Sequence, residues 1–121
     1  MELTDSNKIH IDKSGTRGLG VFAKVPFKKG DIIERAIMMP LVNVDGNINP
    51  HLHTWSDDRK IWATGTGYVA FYNHSENPNI IKDGDIINNT MKVIAKKDIK
   101  AGEELCSYYM SKPWRYCFQG F

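Results

Sequence analysis

Apolar residues along this chain come in short runs that alternate with polar ones, and they do not recur at helical spacing. Runs at 8–11, 20–24, 32–44, 80–82, 86–88, 91–95 and 105–108 are rich in β-branched and aromatic residues and are separated by Gly, Asn, Asp and Pro. That pattern predicts a mainly β domain. Asp83-Gly84 sits between two such runs and predicts a hairpin turn, since both residues tolerate positive φ. Pro26 and Pro40 argue against central strand pairing where they stand, because proline has no N–H for a ladder. Ser56-Asp57-Asp58 predicts the cap of a short helix running through Arg59, Lys60, Ile61 and Trp62. Little other helix is expected.

The chain also echoes itself. VFAKVPFKKGDII, from Val21, and VIAKKDIKAGEEL, from Val93, align at a shift of 72 residues with Val, Ala, Lys, Lys and Gly identical. Each copy reads as a strand, a polar bend ending in Gly, and an acidic residue leading back into apolar sequence. The expectation is a repeated strand-turn-strand unit in which Gly30 and Gly102 supply a positive-φ turn position.

At 121 residues the chain accommodates a single domain spanning 1–121. Its 41% hydrophobic and 25% charged residues are those of an ordinary globular protein and exclude a disordered chain. The net charge of +2 is too small to mark a nucleic-acid binder, and Lys96, Lys97 and Lys100 are followed at once by Glu103 and Glu104. No direct nucleic-acid contact is expected. The polar start MELTDSNKIHID has no signal-peptide core, and no run approaches a membrane span, so the expected location is intracellular, in cytoplasm or nucleus. Cys106 and Cys117 are too few for a disulfide scaffold or a Cys-only zinc site. Reduced thiols in turn deprive the sequons at Asn73 and Asn88 of meaning, because an acceptor matters only in a secreted chain.

The stretch YNHSENPN, 72–79, concentrates polar chemistry. A consecutive His-Ser pair does not provide nucleophile geometry by itself, and Asn77-Pro78-Asn79 is a turn signal. His51 and His53 could share one strand face, but no third metal ligand is evident nearby. Gly18-Leu19-Gly20 lacks the third glycine and the long helix of a dinucleotide fingerprint, yet glycines before a strand let a ligand approach the backbone. Trp55 and Trp62 read as packing residues.

Taken together and in order, Arg17-Gly18-Leu19-Gly20-Val21-Phe22-Ala23, Tyr72-Asn73-His74-Ser75 with Pro78-Asn79, and Gly102-Glu103-Glu104-Leu105 followed by Tyr109 resemble the SET domain of protein lysine methyltransferases, in its compact viral and microbial form. The match runs from about residue 9 to residue 114. The resemblance implies small curved sheets and a C-terminal pseudoknot in which the NHS segment crosses the segment ending in the catalytic tyrosine. It implies S-adenosylmethionine as cofactor, received by Arg17, Gly18, Leu19 and Gly20, by Tyr72, Asn73 and His74, and by Trp114 over the adenine. Tyr109 matches the catalytic tyrosine, while Tyr108 stands where many members have Asp. Tyr68, Tyr72 and Tyr108 fall where aromatic residues line or support the lysine channel. Only Cys117 lies where many members carry a zinc-binding cysteine cluster, so no metal is expected.

The implied partner is a protein or peptide lysine, a histone tail among the candidates, with homodimerisation a way for so small a domain to complete its substrate groove. The rival reading is a SET-like scaffold or peptide reader that has lost catalysis.

Overall fold

The computed structural model describes residues 3–15, 18–49 and 51–109. Among the described residues nine strands form two sheets: β1 (Ile9–Lys13), β2 (Leu19–Ala23), β3 (Ile32–Leu41), β4 (His53–Thr54), β5 (Trp62–Gly65), β6 (Asn73–His74), β7 (Ile80–Asp85), β8 (Thr90–Ala95) and β9 (Glu104–Ser107). One sheet has the order β1-β2-β9-β6 and the other β4-β5-β3-β8-β7. The only helical turn among the described residues is a 3-10 turn at Gly46–Ile48. The architecture is the mainly β one that the alternation predicts.

Alternation also selects the core. Strand β8 buries Met91, Val93 and Ala95, and Ile9, Val21, Met38, Ile80 and Leu105 join them in one hydrophobic cluster. Strand β3 departs from strict alternation, because its register against β8 shifts between Ile32 and Glu34. A bulge of this kind turns two successive residues to the same side. Ile33 and Glu34 are therefore both buried. Pro40 lies beyond the stretch of β3 that pairs with β8 and faces only β5, where its missing N–H is tolerated.

Four sequence expectations are corrected, the first being the strand read over 86–88, which is the turn between β7 and β8. The Asp83-Gly84 pair does not turn: β7 runs straight through it, with Asp83 opposite Lys92 and Gly84 opposite Met91. The turn comes later, where the Asp85 carboxylate accepts from the Ile87 and Asn88 backbone N–H groups and Asn89 takes the positive φ. Gly84 serves close packing instead, since a Cβ there would meet the Trp55 ring at 3.0 Å. The helix expected after Ser56 is a tight hairpin turn between β4 and β5. Ser56 Oγ accepts from the N–H groups of Lys60 and Ile61, which draws the chain back into β5. Finally, β3 ends at Leu41, three residues early, with Asn43 at φ 56° breaking the extended run.

The internal echo folds as a pseudo-two-fold pair. Phe27 and Ile99 exchange both backbone hydrogen bonds, at 2.9 and 2.8 Å. Around them the remaining bonds repeat at the same shift: Gly30 N–H donates to Ala95 O and Gly102 N–H to Ala23 O, while Ala95 N–H donates to Asp31 O and Ala23 N–H to Glu103 O. Gly30 and Gly102 have φ of 92° and 91°, as the turn reading requires. Every one of these bonds runs between the two copies, which locks β2 and β9 of one sheet to β3 and β8 of the other.

Candidate active site

Strand β6 lies parallel to β9, with Asn73 opposite Cys106 and His74 opposite Ser107. These are the segments that the resemblance assigns to the pseudoknot crossing. Asn79 secures the pairing from the far end of YNHSENPN: its side chain donates to Glu104 O at 2.9 Å and accepts from Cys106 N–H at 2.8 Å. An amide that donates on one side and accepts on the other replaces a stretch of strand ladder. Ser75 N–H adds a bond to Ser107 O.

The crossing brings Tyr109 against 72–74. Its hydroxyl donates to the Tyr72 carbonyl oxygen at 2.5 Å, and its backbone N–H donates to His74 Nδ1 at 2.9 Å. The second bond fixes the tautomer of His74, because a ring nitrogen that accepts carries no proton. The proton then sits on Nε2, which reaches Glu76 Oε1 at 3.0 Å. Both ring nitrogens of His74 are thereby committed within the protein, and its ring packs against Tyr108 and Tyr109 with centroids 5.0 and 5.2 Å apart.

On the other side of β6, the Asn73 amide Nδ2 donates to Leu19 O at 3.1 Å and to Glu104 Oε2 at 2.8 Å. Ser14 donates to Glu104 Oε1 at 2.6 Å. This cluster leans directly on Gly20, where a Cβ would collide with the Glu104 carboxylate and lie 2.9 Å from Asn73 Nδ2. Gly18 is exposed, has φ 80°, and has nothing within 4 Å of where a Cβ would stand. The open backbone at Gly18 and Leu19, a carboxamide whose two donor bonds leave Oδ1 as an acceptor, and a carboxylate behind it suit a zwitterionic amino-acid end such as that of S-adenosylmethionine.

A cavity of about 500 Å³ opens beside this crossing, with Tyr72, Tyr108, Tyr109, Lys82, His53 and Trp55 in its wall. Tyr72 is 1% exposed, and its hydroxyl points away from the cavity to donate to Glu34 Oε1 at 2.7 Å. Glu34 also accepts from the Tyr68 N–H at 2.8 Å and from the Thr4 hydroxyl. Burial, and then the negative charge and hydrogen bond of Glu34, raise the Tyr72 phenol well above its ordinary value. It stays neutral.

Of the residues singled out in the sequence, Gly18, Leu19, Gly20, Asn73 and His74 gather around β6, and Tyr72, Tyr108 and Tyr109 line the cavity. Tyr68 packs against the core beside Glu34 and is absent from the cavity wall. Arg17 and Trp114 lie outside the described residues. Trp55 and Trp62 are buried, as packing residues should be. His51 and His53 do not pair: the ring of the first faces Ala70 O and that of the second faces Lys82, and no group of three metal-ligating side chains occurs among the described residues. Cys106 is buried in β9.

Sequence reading missed Glu34, Ser14 and Lys82 as site-building residues, and saw Asn79 and Glu104 only as motif positions. The bulge that turns Glu34 inward has no local signature, and Lys82 looks like any charged residue in an alternating strand.

A fold of two small curved sheets with a tyrosine led back across an Asn-His strand defines a SET domain. The SET domain family model matches residues 18–110, and the chain belongs to that family. It is 26% identical over 113 residues to the histone-lysine N-methyltransferase, H3 lysine-37 specific, of Schizosaccharomyces pombe, covering 88% of this chain and 76% of that protein. It is 32% identical over 148 residues to histone-lysine N-methyltransferase TRX1 of Oryza sativa subsp. japonica, covering all of this chain but only 14% of the plant protein. Among solved structures it is similar to Plasmodium falciparum PFL0690c, with 31% identity, TM-score 0.67, and coverage of 84% of this chain and 92% of that one. Polycomb Repressive Complex 2 of Chaetomium thermophilum, at 24% identity and TM-score 0.71 over 90% of this chain and 15% of that one, shares the fold. No helix among the described residues is long and apolar enough to cross a membrane.

Proposed function

We propose that the protein is an S-adenosylmethionine-dependent protein-lysine N-methyltransferase. The observation that carries this reading is the placement of the Tyr109 hydroxyl on the Tyr72 carbonyl, at the seam between the Gly18–Asn73–Glu104 cradle and the aromatic cavity. A transferase of this kind needs two binding places that meet at one point, and the crossing of β6 and β9 supplies the meeting point.

Bound in the cradle, S-adenosylmethionine supplies an electrophilic methyl on a positive sulfonium. The protein's task is to present a neutral amine to it, because an ammonium has no lone pair and free lysine has a pKa near 10.4. The aromatic walls of Tyr72 and Tyr109 strip water from the amine, which favours the uncharged form. The Tyr109 hydroxyl spends its proton on Tyr72 O, so its lone pairs face the cavity and accept an amine N–H, which aims the nitrogen lone pair. The Tyr109 phenol therefore acts by orientation, and holding both reactants in near-attack geometry supplies much of the rate. The acceptor is a lysine on a protein inside the cell; the names of the relatives make histone tails the first to try.

The test is calorimetric titration of the purified chain with S-adenosylmethionine beside an Asn73→Ala variant. Saturable binding that weakens at least tenfold in the variant is expected, followed by methylation of lysine peptides detected by mass spectrometry. A folded wild-type protein that does not bind the cofactor overturns the reading and leaves the scaffold in its place.

A further inference from the structure

The internal echo also gathers charge. Residues 24–29, KVPFKK, and 96–100, KKDIK, hold six lysines and one carboxylate in eleven residues, half of the chain's twelve lysines. The two segments lie side by side, because Phe27 and Ile99 pair antiparallel and exchange both backbone hydrogen bonds. Phe27 and Ile99 are buried, and side chains alternate along an extended backbone, so their sequence neighbours Lys28 and Lys100 turn to solvent. Lys24, Lys29, Lys96 and Lys97 are exposed as well.

Little of this charge is paired. The Lys28, Lys100 and Lys29 backbone N–H groups donate to Asp31 Oδ2, Glu103 Oε2 and Asp98 Oδ1 at 2.8, 2.9 and 2.9 Å, so each of these carboxylates is held on a backbone amide. Glu104 faces Ser14 and Asn73 in the cradle. Among the described residues none of the six lysines is in an ion pair. Lys24 Nζ donates to Ser6 O at 2.8 Å and Lys97 Nζ to Asn77 Oδ1 at 3.4 Å, both uncharged acceptors. The small net charge, and the glutamates that follow Lys100 in sequence, conceal a basic ridge that forms only when the two copies pair.

We infer that this ridge docks the phosphate backbone of duplex DNA. At the shift of 72 residues Lys24 matches Lys96 and Lys28 matches Lys100, so the pseudo-two-fold axis through Phe27 and Ile99 relates two pairs of lysines. The antiparallel strands of a duplex are also related by two-fold axes, and a symmetric ridge meets equivalent phosphates on both. A single strand or an acidic peptide has no such axis. Stacking on unpaired bases would need exposed aromatic rings, and the one aromatic residue of these segments, Phe27, is buried. Contacts of lysine to phosphate position a protein on DNA without reading its sequence. Lys96 also lies in the wall of the aromatic cavity, so the ridge reaches the place where an acceptor protein enters.

The experiment is fluorescence anisotropy of a labelled duplex of about 20 base pairs, two helical turns, titrated with the full chain between about 50 and 200 mM salt. Saturable binding is expected, weakening as salt rises with a log–log slope of about −0.9 for each phosphate contacted. Lys28→Gln combined with Lys100→Gln should weaken binding about tenfold at the lower salt and reduce the slope by about two units. Lys28→Arg combined with Lys100→Arg, which keeps the charge, should bind as wild type. Lys60→Gln combined with Lys92→Gln removes the same charge from exposed positions off the ridge and should leave the slope unchanged. Equal losses in the two glutamine pairs, loss in the arginine pair, or no saturable binding by wild type overturns the inference. So does a single strand of the same length bound as tightly as the duplex, or binding to phosphatidylserine–phosphatidylcholine vesicles in its place. The four lysines substituted stand outside the cradle, so S-adenosylmethionine titration judges the methyltransferase reading separately.

Discussion

The hydroxyl of Tyr109 donates to the carbonyl oxygen of Tyr72, a residue 37 positions earlier in the chain, at 2.5 Å. That one bond ties the end of the β9 segment to the start of YNHSENPN and sets the Tyr109 hydroxyl at the seam where the cradle and the cavity meet. Tyr109→Phe removes it while leaving the ring, and the backbone bond to His74 Nδ1 survives. Methyl transfer to a lysine peptide should fall about 100-fold, within the range expected for a positioned proton-bearing group. Affinity for S-adenosylmethionine in calorimetry should stay within about twofold, since the hydroxyl is not part of the cradle.

Gly20 is the tightest point of the cradle. Gly20→Ala inserts a methyl against the Glu104 carboxylate and Asn73 Nδ2. Glu104 cannot swing aside without breaking its bonds to Ser14 and Asn73. The variant should lose about 1–2 kcal/mol of stability in urea titration, as overpacked sites do. Its cofactor affinity should fall more than that of any variant confined to the cavity.

The pseudo-two-fold pair makes a prediction of equality. Gly30 and Gly102 have nearly the same φ, and at neither would a Cβ meet anything within 4 Å. Alanine at either position therefore pays only the conformational cost of a left-handed backbone, about 1–2 kcal/mol. The two variants should show matching falls in thermal midpoint, and the double variant should show their sum.

Tyr72 and Glu34 predict an alkaline limit. The folded state raises the Tyr72 phenol above its ordinary value of 10.0, so the protonated phenol contributes stability that is fully present below about pH 10 and is lost as pH rises toward the folded value. Tyr72→Phe should flatten that decline between about pH 10 and 11 in urea melts. At neutral pH the same change should cost about 2 kcal/mol, because it removes one of three donors to a buried carboxylate.

Much of this protein was legible in its residues. Runs rich in β-branched and aromatic residues located β1, β2, β8 and β9, with β8 showing the single buried face of strict alternation, and the repeated Val-x-Ala-Lys pattern ending in Gly announced both copies of the strand-turn-strand unit, since only glycine takes that turn conformation at little cost. Motif order pointed to the family and to Tyr109, Asn73 and Gly20 as neighbours. Other features had no local signal. Two-residue strands such as β4 and β6 are too short to show a period, and Asp83-Gly84 carries the residues of a turn while cross-strand pairing keeps it extended. Tertiary contacts alone decided that the bulge at Ile32/Glu34 buries a carboxylate beneath Tyr72, that Asn79 clamps β9, and that Lys82 points between two tyrosine rings. Each depends on partners at least ten residues away in the chain, and a side chain's direction is set by what the folded chain leaves open to it, which no short window of sequence contains.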